Sequence, residues 1–507
     1  LHRLIRRQRQ MCIRDRLCAQ LARAEIPQNA YFVRNAPLDA GIECYAVFPD
    51  GSEWGWQAKY FINALENSQW KQIDHSVRTA LVKHPRLIRY LICIPRNLSD
   101  ARIAGKKSAR QKWEEHVIKW QGWANEMDMS VEFVLWDEHE LLTRLTRPEH
   151  AGRVRFFFDV ERFDQVWFEK RLEEAIRAAG PRYTPEIHVD LPIARNFEAF
   201  GRTERFFSEL MSLAKEVRKR NNNLRYKSSL IPNKDEEINS VISKIVVRVQ
   251  QFLEMVGGIL PEPVGPLQLD KIAQQADQIA EIVENLAQGL SDHEQRFDTQ
   301  RTQSRESPEN PTFHENPFRI LRNRLWNLER ELHSLRESLE HAHHLTSSRL
   351  LLITGEAGTG KTHLLCDIAK KRTQRGRPTV LLMGQRFTSK DEPWTQALKQ
   401  LDLSDLQVEE FVDTLEAAAQ AAGCRALVMI DALNEGMGRY IWPDHLSAFL
   451  AYLERSPWIG VVLSIRSPFE NVIIPETIRD RAVRITHSGF VGQEYDALKS
   501  FFCSLQY

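Results

Sequence analysis

The chain has 507 residues, which is too long for one hydrophobic core, so we expect about two to four domains. Apolar residues make up 42% and charged residues 27%, which is the composition of a soluble globular protein. The net charge of +1 excludes a global attraction to nucleic acid, and the lack of an apolar run of ~18 residues excludes a membrane span.

Seven cysteines are scattered along the chain without a CxxC pair. This spacing argues against a zinc module or a disulfide framework and favours a reducing compartment. Because the N-terminal segment also lacks the apolar core of a signal peptide, we predict a cytoplasmic protein without membrane contact.

Both ends of the sequence have unusual features. Residues 1–16, "LHRLIRRQRQMCIRDR", contain six arginines and no helical apolar stripe. The string "MCIRDR" resembles translated adapter sequence from metagenomic assemblies, so we interpret residues 1–16 as non-native or disordered; a basic arm is the alternative. The last residues, "YDALKSFFCSLQY", stop inside a helical pattern, which predicts a fragment of a longer protein.

A hairpin is predicted around "PDG", where Asp50 starts the turn and Gly51 accepts a positive φ. A two-residue loop would pair Phe48 with Glu53 and mix polar and apolar side chains on both faces. A loop one residue longer pairs Phe48 with Trp54 and gives one coherent apolar face. We predict the longer loop, because a slip of one residue reverses every side chain.

In the predicted register Glu43 lies opposite Lys59, and Gln57 is on the same side of the hairpin. A carboxylate there can hold Mg²⁺, an amide oxygen is a weaker ligand, and a lysine can orient the attacking water. The alternative is an ordinary cross-strand pair of Glu43 with Lys59, worth a few tenths of a kcal/mol.

The elements after the hairpin alternate between helices and apolar strands. They are a helix at 68–83, a strand at 89–95, a helix at 109–126, a strand at 131–136 and a helix from 138. The second of these helices carries Trp113, Val117 and Trp120 at helical spacing, which favours a place in the core over base stacking. A basic stretch, residues 101–112, is either a DNA-phosphate contact or a solvated helix start.

The residues "LDAGIE…WGWQAK" resemble the Mrr-like members of the PD-(D/E)xK nuclease superfamily. The resemblance implies a restriction-endonuclease-like domain over residues 17–165, metal binding at Glu43, a ligand or positioning role for Gln57 and catalysis by Lys59. It implies DNA as the substrate. Asp39 is a candidate helper, since the family tends to have glycines and an Asp before the acidic residue. A further acid on the first helix would fall in or next to residues 1–16.

The middle of the chain, residues 166–290, is predicted to be a mostly helical connector. Its pattern is interrupted by "GPRYTPEIHVDLPIA" at 180–194, where Pro and β-formers break the helical period. Residues 291–316 are polar and Pro-broken, and we predict a flexible linker there.

A phosphate-binding loop follows in "LLLITGEAGTGKTHLL", where an apolar strand runs into a glycine loop and then a helix. Backbone N–H groups surround the phosphates, the lysine reaches the β and γ oxygens, and the threonine binds Mg²⁺. The candidate nucleotide-binding residues of this loop are Gly355, Gly358, Thr359, Gly360, Lys361 and Thr362.

A second apolar strand, "ALVMID", ends in Asp431, the carboxylate expected on the Mg²⁺ side of the nucleotide. Glu435 is placed to polarise the hydrolytic water. The strand "GVVLSIR" then places Arg466 where it can sense the γ-phosphate. The strands near 379–383, 425–430 and 460–465 alternate with helices and predict a parallel α/β sheet.

The strings "GEAGTGKT", "MIDALNE" and "LSIR" together resemble STAND NTPases, which are related to AAA+ ATPases. With the nuclease-like segment and the connector, the sequence is similar to antiviral STAND proteins of the Avs type. The resemblance implies a P-loop NTPase domain over residues 317–507, truncated at the C-terminus, with ATP and Mg²⁺ as cofactors. It also implies a homo-oligomer, a tetramer on activation, and a phage protein as the activator of a sensor that is missing from this sequence.

The first hypothesis is therefore an ATP-regulated, Mg²⁺-dependent DNA endonuclease of prokaryotic defence. The alternative is a signalling or regulatory ATPase whose N-terminal domain binds DNA or partners without cutting. A helicase or translocase is a third reading, disfavoured because no helicase motif follows the P-loop.

Overall fold

A computed structural model describes residues 16–27, 30–34, 41–61, 65–98, 107–158, 163–184, 193–225, 236–259, 264–303 and 316–489. The chain divides into two compact units. The first comprises Leu1–Lys170 and Leu403–Ala422, and the second comprises Arg171–Asp402 and Gly423–Tyr507.

The first unit is built on a five-stranded mixed sheet. Its strands are β1 (Tyr31–Arg34), β2 (Cys44–Val47), β3 (Glu53–Ala58), β4 (Leu87–Cys93) and β5 (Glu132–Trp136). Its helices before residue 165 are α1 (residues 16–25), α2 (Asn67–Lys83), α3 (Ala109–Asn125), α4 (Glu138–Leu145) and α5 (Ala151–Phe158). The strand order is β1-β2-β3-β4-β5, antiparallel among the first three and parallel among the last three. The predicted helices and strands of this region are confirmed to within about two residues.

The two faces of this sheet are buried in separate apolar layers. One layer contains Cys44, Ala46, Trp56 and Ala58, so the predicted apolar face of the hairpin is confirmed. The other layer contains the buried side chain of Trp120 and residues of α2. The predicted core residues Trp113, Val117 and Trp120 are confirmed: Trp120 is fully buried, and Trp113 and Val117 are partly buried against this layer. Burial on both faces fixes which side chains of β2 and β3 can reach solvent.

The register of the hairpin differs from the prediction by two residues. Phe48 N–H donates to the Ser52 carbonyl at 2.9 Å, which leaves a loop of residues 49–51. The cause is the Asp50 carboxylate, which accepts from both the backbone N–H and the hydroxyl of Ser52 and closes the turn one residue early. Cys44 therefore pairs with Trp56 rather than with Ala58.

The prediction that Glu43 lies opposite Lys59 is therefore wrong. Cys44 is the first residue of β2 in the register and lies opposite Trp56, and Glu43 N–H also donates to the Trp56 carbonyl at 2.8 Å, so Glu43 lies beside Trp56 rather than opposite Lys59. A shift of two residues keeps every side chain on its original face, because side chains alternate with a period of two. The shift therefore leaves the side chains of Glu43, Gln57 and Lys59 on the same side of the sheet as predicted.

The second unit begins with a run of helices. They are α6 (Gln165–Ala179), which starts in the first unit, α7 (Ile193–Phe200), α8 (Glu204–Arg225), α9 (Glu236–Gly257), α10 (Leu269–Gln303) and α11 (Pro317–Ser347). Helix α11 begins at the cap Asn316, whose side chain accepts from the N–H groups of Phe318 and Arg319. Its core side is a row of fully buried leucines at spacings of three and four: Leu325, Leu328, Leu332, Leu335 and Leu339.

Helix α10 differs from the linker predicted over residues 291–316. It continues to Gln303, and Glu294 forms ion pairs of 2.6 and 2.8 Å with Arg319 and Arg322 of α11. Phe297 packs against the core of the helical region. Polar residues did not break this helix because one apolar side remained and the prolines come later. Of the helices that the structure describes, none is both long and apolar enough to cross a bilayer.

The remainder of the second unit is a parallel α/β layer. Its elements are β6 (Leu350–Thr354), α12 (Lys361–Gln374), β7 (Thr379–Met383), α13 (Pro393–Gln400), β8 (Ala426–Asp431), α15 (Gly438–Leu453), β9 (Ile459–Ser464), α16 (Glu470–Ile473), α17 (Glu476–Arg479) and β10 (Val483–Thr486). The sheet order is β10-β6-β9-β8-β7, with every pair parallel. The predicted parallel sheet is confirmed. The carboxyl ends of β6, β8 and β9 share one edge, where ligands bind in such sheets.

Helix α14 (Val408–Ala422) lies between β7 and β8 in sequence but belongs to the first unit. It packs on α5 so closely that a Cβ on Gly152 would lie 2.4 Å from the backbone of Asp413. From α1, the buried amide of Gln20 donates to the Ala417 carbonyl at 3.0 Å.

Candidate functional site

The loop between β6 and α12 has a backbone that only glycine adopts readily. Gly355, Gly358 and Gly360 have φ values of +156°, +79° and +92°. A Cβ on Gly355 would lie 2.4 Å from the carbonyl oxygen of His487, so no side chain fits there. This loop and the first turn of α12 form a backbone cradle for an anion.

The ammonium group of Lys361 is held over this loop. It donates to the carbonyl oxygens of Gly355 and Glu356 at 2.8 and 2.7 Å, and to the Thr359 hydroxyl at 3.2 Å. Burial, and then the charge of Arg466, lower the pKa of Lys361. A bound phosphate would stabilise the charged form of Lys361, because its negative charge offsets both the burial and the repulsion from Arg466.

The carboxylate of Asp431 ends β8 and is 1% exposed. Its two oxygens accept at 2.7 Å from the hydroxyls of Thr362 and Ser464, which come from α12 and β9. Burial raises the pKa of Asp431, while these two hydrogen bonds act in the opposite direction. Oxygen donors of this kind are the ligands that Mg²⁺ prefers, so Thr362 and Asp431 fit the metal of a bound nucleotide.

The residue after Asp431 has a strained backbone. Ala432 has φ of +52°, a left-handed conformation that costs a non-glycine residue about 1–3 kcal/mol. Its N–H donates to the Ser464 hydroxyl at 2.7 Å. A Cβ on Gly384 would lie 2.2 Å from the Ala432 carbonyl oxygen, so this turn is also confined from the side of β7. The surrounding contacts therefore determine how the chain leaves β8 toward Glu435.

Two arginines lie beside the carboxylate of Glu435. Arg182 Nη1 donates to Glu435 Oε2 at 2.7 Å, and Arg466 Nη2 lies 3.5 Å from Oε1. The backbone N–H of Arg466 donates to the Asn434 side chain at 3.2 Å. The predicted residues Glu435 and Arg466 are thus in contact with each other, at the edge where β8 and β9 end.

Three residues of this site were missed from the sequence. Ser464 stands two positions before Arg466 in "LSIR", and its place at the end of a strand was a signal that could have found it. His487 is buried and donates its N–H to the Thr354 carbonyl at 2.7 Å. Arg182 is 253 positions from Glu435, and no spacing pattern relates residues at that distance.

In the first unit, the side chains of Glu43 and Gln57 are in contact. Gln57 Nε2 donates to Glu43 Oε1 at 2.6 Å, and the Gln57 side chain is 4% exposed. Lys59 continues the ladder beyond β3, with its N–H donating to the Cys93 carbonyl at 2.9 Å. Asp39 lies outside the described residues.

Tyr90 of β4 lies near the Glu43 carboxylate. Burial, and then the charge of Glu43, raise the pKa of Tyr90 well above its usual range. Its hydroxyl donates to the Gly41 carbonyl at 2.5 Å. Tyr90 therefore stays protonated and adds no negative charge near Glu43.

The Glu43–Gln57 pair fits a metal less fully than the nucleotide site does. Gln57 presents its amide nitrogen to the carboxylate, so the amide oxygen would have to turn toward Glu43 before both could bind one ion. Over the ranges that the structure describes, no group of three or more His, Cys, Asp or Glu side chains is arranged to hold a metal.

Comparisons with known proteins bear on the second unit. A family model described as an AAA domain matches residues 343–466. No curated protein matches the chain. A solved structure titled "Structure of C. elegans PCH-2" is 21% identical, with a TM-score of 0.20 over 31% of this chain and 40% of that one. That likeness covers less than half of the other chain and supports no inference. The family match and the loop geometry place an AAA-type P-loop domain within residues 343–466, a domain type that implies nucleotide binding.

Proposed function

We propose that this chain is an ATP-regulated, Mg²⁺-dependent DNA endonuclease of prokaryotic defence against phage. ATP is bound and hydrolysed in the P-loop domain, subunits assemble into a homo-oligomer when a phage protein activates them, and the N-terminal units then cut DNA. ATP hydrolysis is the part best supported. The observation that carries it is the Thr362–Asp431 contact beside Lys361, at the edge where β6 and β8 end.

In the nucleotide site, each residue has a role that its position supports. Lys361 exchanges loop carbonyls for the β and γ phosphate oxygens, and Thr362 and Asp431 hold Mg²⁺. The ion supplies neutralisation of phosphate charge. Glu435 accepts a proton from the attacking water, whose oxygen bonds to the γ-phosphorus while the bond to the β–γ bridging oxygen breaks. The products are ADP and phosphate.

Phosphate release from MgATP by the full chain tests this assignment. Lys361→Ala should lose nucleotide binding and turnover together, because the loop loses the ammonium group assigned to the β and γ phosphates. Glu435→Gln should bind ATP but turn over about 10²–10⁴-fold more slowly. Lys371→Ala, on the same helix and paired with Asp367, is the control. Hydrolysis that survives Lys361→Ala unchanged would remove the proposal.

The nuclease part rests on the Glu43–Gln57 contact and on Lys59, which shares their parity on a mixed α/β sheet. Plasmid cleavage with Mg²⁺ by the activated protein tests it. Lys59→Ala should abolish cutting, since this lysine is assigned to the attacking water or the phosphorane charge. The control is Lys83→Ala, an exposed lysine at the end of α2. Cutting that is unchanged in Lys361→Ala would separate cleavage from ATP.

An alternative function is supported by the orientation of Gln57. The Gln57 amide nitrogen donates to Glu43, so the two polar side chains are paired with each other. This is what we expect of a domain that binds DNA or partners without cutting. Titration with Mn²⁺ distinguishes the two functions. A nuclease should bind Mn²⁺ in the N-terminal unit and lose this binding in Glu43→Gln; equal binding by both proteins favours the alternative.

A further inference from the structure

We propose that Arg182 is a positioning residue that restrains Glu435 and thereby holds ATP hydrolysis in check, an inference that rests on the proposed ATPase function. Arg182 lies in the 3₁₀ turn Gly180–Arg182, directly after α6. In sequence it precedes the P-loop by more than 170 positions, so it is no part of the loop and strand motifs that define the site.

The guanidinium of Arg182 is held by three acceptors from three elements. Nη1 donates to Glu435 at 2.7 Å, Nη2 donates to Gln385 Oε1 at 2.5 Å, and Nε donates to the Ala179 carbonyl at 3.2 Å. Gln385 is itself fixed, because its Nε2 donates to the Ala178 carbonyl. These three hydrogen bonds fix the orientation of the planar guanidinium group, with Nη1 directed at the Glu435 carboxylate.

The contact competes with the proposed chemistry. A general base must accept a proton from the attacking water, which requires a carboxylate oxygen within hydrogen-bond reach of that water. Oε2 of Glu435 is engaged by Arg182, and Oε1 faces Arg466 at the longer distance of 3.5 Å. The stronger of the two contacts is therefore the one from outside the P-loop domain's motifs.

The residues that follow Arg182 reach the other end of the nucleotide site. The Tyr183 ring lies 5.0 Å from the ring of His363, and Thr184 N–H donates to His363 Nδ1 at 3.4 Å. His363 is next in sequence to Thr362. Residues 182–184 therefore contact both the Glu435 carboxylate and the first turn of α12. Through these contacts, a movement of the phosphate loop can reach Arg182.

Steady-state ATP hydrolysis by the full chain tests the restraint. Arg182→Ala should raise kcat about fivefold, the factor for ~1 kcal/mol of released pairing energy, with KM changed less than about twofold. Arg182→Lys keeps a charge but cannot fork to two acceptors, and should give an intermediate kcat. Gln385→Ala should raise kcat by a smaller factor, because it loosens Arg182 without removing it.

Two controls isolate the contact. Arg386→Ala removes a neighbouring arginine that bonds only to the Glu174 carbonyl, and should leave kcat unchanged. Adding Arg182→Ala to Glu435→Gln should give no increase, because the restrained group is already gone. Binding of fluorescent mant-ATP reports whether each variant keeps a folded nucleotide site.

The outcomes separate the two levels of the proposal. If the parent chain hydrolyses ATP and kcat is unchanged or lower in Arg182→Ala, Gln385→Ala and Arg182→Lys, the restraint is wrong and the ATPase assignment stands. A fall in kcat at constant KM would instead make Arg182 a promoter of hydrolysis. If the parent chain and all variants bind mant-ATP but none hydrolyses ATP, the proposed ATPase function itself fails.

Discussion

The nucleotide site and the Glu43–Gln57 pair each join a carboxylate to a neutral donor from a neighbouring element. They differ in how deeply the carboxylate is buried. Asp431 accepts two hydroxyls from two elements and is almost fully buried. Glu43 accepts a hydrogen bond from the Gln57 amide on the adjacent strand and is only partly buried. A carboxylate buried with hydroxyl partners is placed to bind a cation, because the cation offsets the free-energy cost of burying the negative charge.

The largest effect should come from Asp431→Asn, which removes the charge that the hydroxyls of Thr362 and Ser464 surround. We expect kcat for ATP hydrolysis to fall about 10²–10³-fold, since Asp431 is the anionic ligand proposed for the Mg²⁺ of the nucleotide. Phosphate release measures it, with the exposed Asp444→Asn of α15 as control. Activity near the parent level would mean that Asp431 is structural, like an ordinary strand end.

Glu43→Gln should have the next largest effect. If the hairpin holds a metal, DNA cleavage should fall about 10²-fold, because the amide cannot neutralise the ion. Glu53→Gln is a matched control on the same strand pair, where the carboxylate lies 2.7 Å from His84 rather than beside Gln57. Equal cleavage by the parent and Glu43→Gln would show that the Glu43–Gln57 pair is not a metal site. The nucleotide site would then be the one proposed catalytic site in the described part of the chain.

A moderate effect is expected for Ser464→Ala. The hydroxyl donates to Asp431 and accepts from Ala432 N–H, so its loss leaves two buried polar groups short of a partner. We expect about 2 kcal/mol less stability in urea unfolding, and about tenfold lower kcat. Ser447→Ala, on the exposed side of α15, should change neither. Unchanged unfolding of Ser464→Ala would contradict the account of how Asp431 is held.

The smallest effects concern pH, where two aspartates should respond with opposite signs. Burial raises the pKa of Asp431, so the folded state binds more protons than the unfolded state as pH rises from about 4. The parent therefore loses stability across that window, and the stability of Asp431→Asn relative to the parent should grow toward pH 7. Urea unfolding at several pH values measures this difference.

Asp74 of the first unit provides the opposite case. Burial acts to raise its pKa, but hydrogen bonds from Lys119, Trp120 and His116 prevail and lower it. Its contribution is present above the unfolded pKa near 3.8 and is lost as pH falls through the lower folded value. Asp74→Asn should therefore be less stable than the parent at pH 7 and equal to it in strong acid. Equal stability at pH 7 would contradict this reading.

The structure brings the glycine loop, Thr362 and Asp431 together as the sequence predicted, because this arrangement depends on local backbone geometry and strand ends. The glycines of the loop and the apolar strands are readable within a few residues of Lys361 and Asp431. Arg182 could not be found in this way, since only the folded chain brings it to Glu435. The predicted roles of the loop residues and of Arg466 stay predictions until they are measured.

The hairpin shows a different limit. Burial of an apolar face constrains a register only to within two residues, because a shift of two leaves every face unchanged. The Asp50 side chain decided between the remaining registers through its bonds to Ser52. Sequence reasoning therefore placed Glu43, Gln57 and Lys59 on one face but assigned the wrong cross-strand partner. The polar composition of residues 291–303 likewise concealed the continuation of α10.

Helix α14 has a practical consequence for anyone who divides this protein. The AAA match runs through residues 343–466, yet residues 403–422 inside it fold with the first unit. Expressing residues 1–170 alone would strip the cover from Gly152 and leave the Gln20 amide without its acceptor. A single cut cannot separate the two units intact, so they should be expressed and purified as one chain.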